Sequence, residues 1–160
     1  MKAKSISDNG IVAALYAVLV VIFAPISFAA MQFRVAELLK PIVIRRKHTI
    51  WGIGLGNLVG NLAGGTYGGI LELTLMPITC VVWGFVCWYV GNQKSRLAPY
   101  AGSFLYAMGT ALSVAFMLTR VTNLPFLVLF PSVAISETIL LLVGTPIMTR
   151  ISDTLEKKNL

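Results

Sequence analysis

Met31-Gln32-Phe33-Arg34-Val35-Ala36-Glu37-Leu38-Leu39-Lys40-Pro41 sets three ionisable groups between two long apolar runs. Residues 11–28 precede it, and residue 42 onward leads into 50–64. Both flanks are long enough to be membrane spans. Charge in or beside a bilayer core is expensive, so such groups face a cavity, a partner or water. On a helix, Arg34 and Glu37 stand three apart and pair on one face. The plain reading is an ion pair that anchors a helix end at the interface. The sharper one is the rim of a site for a polar ligand.

Composition decides the class. Hydrophobic residues make up 57% of the 160 residues and charged residues 12%, with a mean hydropathy of +0.83. A soluble domain carries about 25% charged residues. A soluble fold of this length could not hide so much apolar surface from water. The chain therefore reads as an integral, all-α membrane bundle, a single domain over 1–160. Its net charge of +7 lies in short clusters between apolar runs, which excludes a nucleic-acid surface. Cys80 and Cys87 lie in one apolar run without metal-ligand or redox spacing and read as packing residues. There is no phosphate-binding Gly-Lys-Ser/Thr loop, no nucleophile elbow and no His-Glu-x-x-His. No catalytic residue, metal site or cofactor is expected, and the chain is not expected to be an enzyme.

Six spans are expected, at about 10–29, 33–46, 48–64, 69–91, 98–118 and 125–149. The first carries Ala13 and Ala17, a small-residue face for close helix contact, either with a partner or within the chain. Ala24-Pro25 ends or kinks it. The second is short and interrupted by Lys40-Pro41. His48, in the basic cluster after it, reads as a solvated interfacial residue. The third places Gly52, Gly56, Gly60 and Gly64 on one stripe, with Asn57 and Asn61 one position round. An amide in hydrocarbon needs a partner on another helix or on a solute. Residues 64–69 form a glycine-rich outer loop around Tyr67, a lid or interface residue. Residues 92–96 and 119–123 read as loops, and the tail after Arg150 as polar.

Lys and Arg segregate over this layout. One side receives Lys2, Lys4, Arg45, Arg46, Lys47, Lys94, Arg96, Arg150, Lys157 and Lys158, the other only Arg34 and Arg120. That predicts a multi-pass protein of the cell membrane with both termini cytoplasmic. Three of the six acidic residues, Glu37, Glu72 and Glu137, fall inside the membrane portion, Glu137 near mid-bilayer. Such carboxyls are protonated, paired across helices or part of a solute path. Three converging on the outer half of a small bundle suit a cationic or donor-rich solute.

The strings Ala24-Pro25-Ile26-Ser27-Phe28 and Gln32-Phe33-Arg34-Val35-Ala36-Glu37 resemble the signature of the queuosine-precursor transporter (QueT) family. That family belongs to the substrate-binding S components of energy-coupling factor (ECF) transporters. The likeness continues through Gly56-Asn57 to Asn61, Glu72 and Ser136-Glu137. It departs in the 64–69 loop, which stands where the family has Ser-Pro, and in Glu72, which stands where an Asp is expected. The resemblance implies six helices, an outward pocket, and docking on a membrane scaffold subunit driven by two cytoplasmic ATPases, which hydrolyse the ATP. It implies a deazaguanine base as solute, held by Arg34, Glu37, Asn57, Glu72, Glu137, Gln32 and Asn61, and scaffold contact through Ala13 and Ala17. Other readings stand beside it: an S component for another vitamin-like or nucleobase-like solute, a self-sufficient small carrier, or an accessory structural subunit. No internal inverted repeat supports the carrier.

Overall fold

The computed structural model describes residues 3–27, 33–65 and 68–157. Helix α1 spans Ala3–Ile22, and the short α2, Ala24–Ser27, follows a break at Phe23, as expected beside Pro25. A 3-10 helix, Val35–Ile44, then runs through the bundle and is followed by a second short one, Lys47–Thr49. Helix α3 is Ile50–Gly64, α4 Gly69–Gly91, α5 Ala98–Thr122 and α6 Phe126–Lys157. The regular elements among the described residues are all helices, and α1, α4, α5 and α6 are long and apolar enough to cross a membrane. The other two expected spans are shorter. At about 1.5 Å per residue α3 reaches roughly 22 Å, and at about 2.0 Å the 3-10 segment reaches roughly 20 Å, against a hydrocarbon core of about 30 Å.

The ten-residue 3-10 helix is the element around which the others pack. Runs of this geometry longer than three or four residues are uncommon. Its three-residue repeat stacks Arg34, at its N-cap, with Glu37 and Lys40 along one ridge. Pro41, inside it, donates no backbone hydrogen bond. Residues Ala36 to Ile44 are buried apart from Leu38 and Leu39, so a segment rich in charge sits in the core. Helix α6 packs along it, close enough that a side chain at Gly144 would strike the Leu38 carbonyl.

The glycine stripe of α3 packs against α1. A Cβ at Gly52 would lie 2.8 Å from the Asn9 carbonyl, and one at Gly56 would lie 2.8 Å from the Ala13 carbonyl. At Gly60 it would lie 3.3 Å from Ala17 Cα. Ala13 and Ala17 are accordingly 7% and 9% exposed, packed inside the chain against α3. Within the chain, the small residues on both helices form one seam between α1 and α3.

One loop reading is also corrected. Residues 119–122 are the last turn of α5, where Thr119 and Thr122 bond the carbonyls of Ala115 and Leu118, and only Asn123 is left-handed. The polar tail continues α6 to Lys157. Residues 92–97 do link α4 to α5. At one end of the bundle Asp8 meets Arg46 and His48, at 2.9 and 2.8 Å, and Arg45 lies 3.4 Å from Asp153. The start of α1, the turn at 45–49 and the end of α6 therefore share a side, as the Lys and Arg pattern requires.

Candidate functional site

Each charged side chain on the ridge of the central segment faces a different helix. Arg34 pairs with Glu72 of α4 at 2.6 Å. The other Glu72 oxygen accepts the backbone N–H of Gly68 at 3.0 Å, which ties the start of α4 to the pair. Glu37 pairs with Lys40, three residues on. The expected Arg34–Glu37 pair is therefore replaced by Arg34–Glu72 and Glu37–Lys40. The 3-10 repeat stacks all three side chains, and Glu72 supplies a second anion from across the bundle.

Lys40 is fully buried. Its ammonium donates to Thr110 Oγ1 at 3.2 Å and lies 3.8 Å from Glu137 and 4.8 Å from the centre of the Tyr106 ring. Thr110 and Tyr106 stand four apart on α5, and the Tyr106 hydroxyl bonds the Cys80 carbonyl of α4 at 2.7 Å. Glu137 also lies against Glu37, and its Oε2 accepts no hydrogen bond among the described residues. A chain of donors approaches Glu37 from the opposite side. Asn61 donates to Asn57 at 3.3 Å, Asn57 to the Tyr16 hydroxyl at 3.3 Å, and Tyr16 to Glu37 Oε1 at 2.5 Å. The Asn61 carbonyl oxygen at the far end has no partner among the described residues.

Charge arithmetic follows from these contacts. Arg34 and Lys40 are the cations, and Glu37, Glu72 and Glu137 the carboxylates, all buried. With every group ionised, the cluster carries one negative charge too many. Uncompensated charge in a low-dielectric interior is strongly unfavourable, so the cluster is suited to a proton shared by Glu37 and Glu137, to a positive charge or to several N–H donors. Among the described residues no three of His, Cys, Asp and Glu converge in a manner suited to a metal.

Of the expected solute-binding residues, Arg34, Glu37, Asn57, Asn61, Glu72 and Glu137 are buried around the central segment. Gln32 lies outside the described residues, as does Tyr67 of the expected lid. Sequence reasoning did not select Tyr16, Lys40 or Thr110. Tyr16 had a readable signal, a phenol in the middle of an apolar run, where its hydroxyl requires a partner. Lys40 had a weaker one, because a lysine at a span end is expected to reach toward the interface.

A family model described as QueT transporter matches residues 6–153, nearly the whole chain. No curated protein and no solved structure matches it.

Proposed function

The chain belongs to the QueT transporter family, and from that membership we propose that it is the substrate-binding membrane subunit of an ATP-driven importer of the ECF type. As a member of that family with four helices suited to crossing a membrane, it is a multi-pass transporter protein rather than an enzyme. In the proposed role it captures a queuosine precursor, a deazaguanine base, in a pocket facing the outside. A membrane scaffold subunit and two ATPase subunits are its partners, and ATP is hydrolysed by the latter. Both termini are assigned to the cytoplasm, the side of the basic cluster. Ala13 and Ala17 remain the proposed small-residue face of α1 for scaffold contact, on a helix that also packs against α3.

The observation that supports this reading best is the surplus carboxylate around Lys40. A guanine-like edge presents adjacent N–H donors that match a carboxylate, and an aminomethyl group adds a cation. With every group of the cluster ionised, the aminomethyl form of the base supplies the balancing charge, and with a proton shared by Glu37 and Glu137 a neutral form fits as well. Glu137 is assigned to the ligand, Glu37 to holding Lys40, and Asn61 to a further donor of the base.

The internal pairs Arg34–Glu72 and Lys40–Glu37 favour a second reading, an accessory structural subunit whose carboxylates serve only the fold. A native mass spectrum of the full chain purified in mild detergent separates the two. The proposed function requires a co-purified base of deazaguanine mass, or its stoichiometric uptake when supplied. A chain that neither retains nor takes up such a base is the outcome expected of the structural subunit.

A further inference from the structure

The third carboxylate of the buried cluster needs a balancing charge before a solute arrives. Glu137 lies within hydrogen-bond reach of Glu37. Two ionised carboxylates offer each other only acceptors, so this contact requires a proton between them. Glu37 is already provided for as an anion: it pairs with Lys40, and its Oε1 accepts the Tyr16 hydroxyl at 2.5 Å. Glu137 stands 3.8 Å from Lys40, and its Oε2 accepts no hydrogen bond among the described residues. The proton therefore belongs on Glu137, directed at Glu37. Both side chains are buried, so no water shell offsets a further charge there.

We propose that the site takes a cationic solute by proton exchange: the solute's ammonium replaces the proton on Glu137, and pH decides whether the charged or the neutral form of the base is held. The exchange rests on the proposed function, in which Glu137 binds the solute. The Glu137 O–H bond breaks, the proton passes to water, and both oxygens become acceptors for incoming N–H groups. Charge is balanced on both sides of the step. With the proton in place, Arg34 and Lys40 face Glu37 and Glu72. With it gone, the ammonium of the solute offsets Glu137. A neutral base meets the protonated pair and displaces nothing. The groups around the Glu37–Glu137 pair do not compete for this proton. They are Tyr16 of α1, Arg34 and Lys40 of the 3-10 segment, Cys80 of α4 and Tyr106 of α5. Helix α3 brings Asn57, which does not titrate. Below about pH 7 phenols and thiols are neutral, and guanidinium and ammonium groups keep their charge. His48, the one histidine of the chain, is engaged with Asp8 at the basic end of the bundle.

The test is titration calorimetry on the full chain in mild detergent, with the aminomethyl deazaguanine base and with a neutral deazaguanine lacking the amine. It runs from about pH 5 to about pH 7, where an ordinary carboxyl group is ionised. Binding heats in two buffers of different ionisation enthalpy count the protons released. The aminomethyl base is expected to release about one proton, and its affinity to rise about tenfold per pH unit, the linkage of a single proton. The neutral base is expected to release none. Infrared difference spectra follow the carboxyl group itself. Its protonated carbonyl band is expected in the apo protein, is lost on binding the aminomethyl base, and is missing from Glu137→Gln. Binding of the aminomethyl base without proton release, or an apo protein without that band, overturns the exchange and leaves the proposed function standing. Proton release that persists in Glu137→Gln overturns the assignment to Glu137. Failure of both bases to bind at every pH removes the proposed function, and the exchange with it, even where the apo band is present.

Discussion

The cluster around the central segment and the cluster at the basic end of the bundle are both made of ion pairs, but they differ in burial and in balance. The first holds two cations and three carboxylates, each nearly or wholly out of solvent. The second holds Arg45, Arg46 and His48 against Asp8 and Asp153, and its Arg45–Asp153 pair is 37% and 50% exposed. In water such a pair contributes about 0–1 kcal/mol, because screening and side-chain entropy offset the attraction. In the interior each charge depends on its partner, and removing one partner costs about 3–5 kcal/mol. A surplus charge at the surface needs nothing, whereas a surplus charge in the core needs a ligand or a proton. That difference separates a site from an anchor.

The strongest way to break the comparison is to empty the centre of the buried cluster. Lys40→Met leaves Glu37 and Glu137 facing each other without a cation, and should lower apo stability by about 3–5 kcal/mol. Thermal unfolding in detergent reads this directly. A change as small as that of a surface pair would mean that the two clusters are alike. Gly56→Val probes the seam that holds Tyr16. Its Cβ would lie 2.8 Å from both the Ala13 carbonyl and Tyr16 Cβ, so α1 must shift. A loss of about 1–3 kcal/mol is expected from overpacking, together with weaker solute binding as Tyr16 leaves Glu37. Stability lost with binding intact would detach the Tyr16 chain from the site. Asp153→Asn should change the melting free energy by less than about 1 kcal/mol, and less still at high salt.

Much of the buried cluster was legible in the sequence because hydrocarbon tolerates few charges. Glu37, Glu72, Glu137, Asn57 and Asn61 are each exceptional in their own apolar run, so each demanded a partner. Who that partner was could not be read. Arg34 and Glu37 satisfy the spacing rule for a helical pair, and only the fold shows Glu72 reaching Arg34 from α4. The 3-10 form was hidden as well, since side chains three apart are neighbours in both kinds of helix. Ala13 and Ala17 show a further limit. Small residues four apart announce close packing but not whether the other helix belongs to the same chain. Thr119 and Thr122 read as loop residues by composition, yet their hydroxyls fold back on the helix and let α5 continue.

The central claim is that the surplus carboxylate binds the solute, and Glu137→Gln tests it most directly. The change keeps the shape, removes the surplus charge and sets a donor where an acceptor stood. Lys40 keeps Glu37 as its partner, so no cation is stranded. Melting temperature and affinity for the aminomethyl deazaguanine base, measured on one sample, give the answer. The account predicts an apo protein at least as stable as the parent, because a buried amide is less costly than an uncompensated carboxylate. It predicts binding weaker by about 2–4 kcal/mol, as a donor then faces a donor. Unchanged affinity beside a clear loss of apo stability would contradict it, and would return Glu137 to the fold.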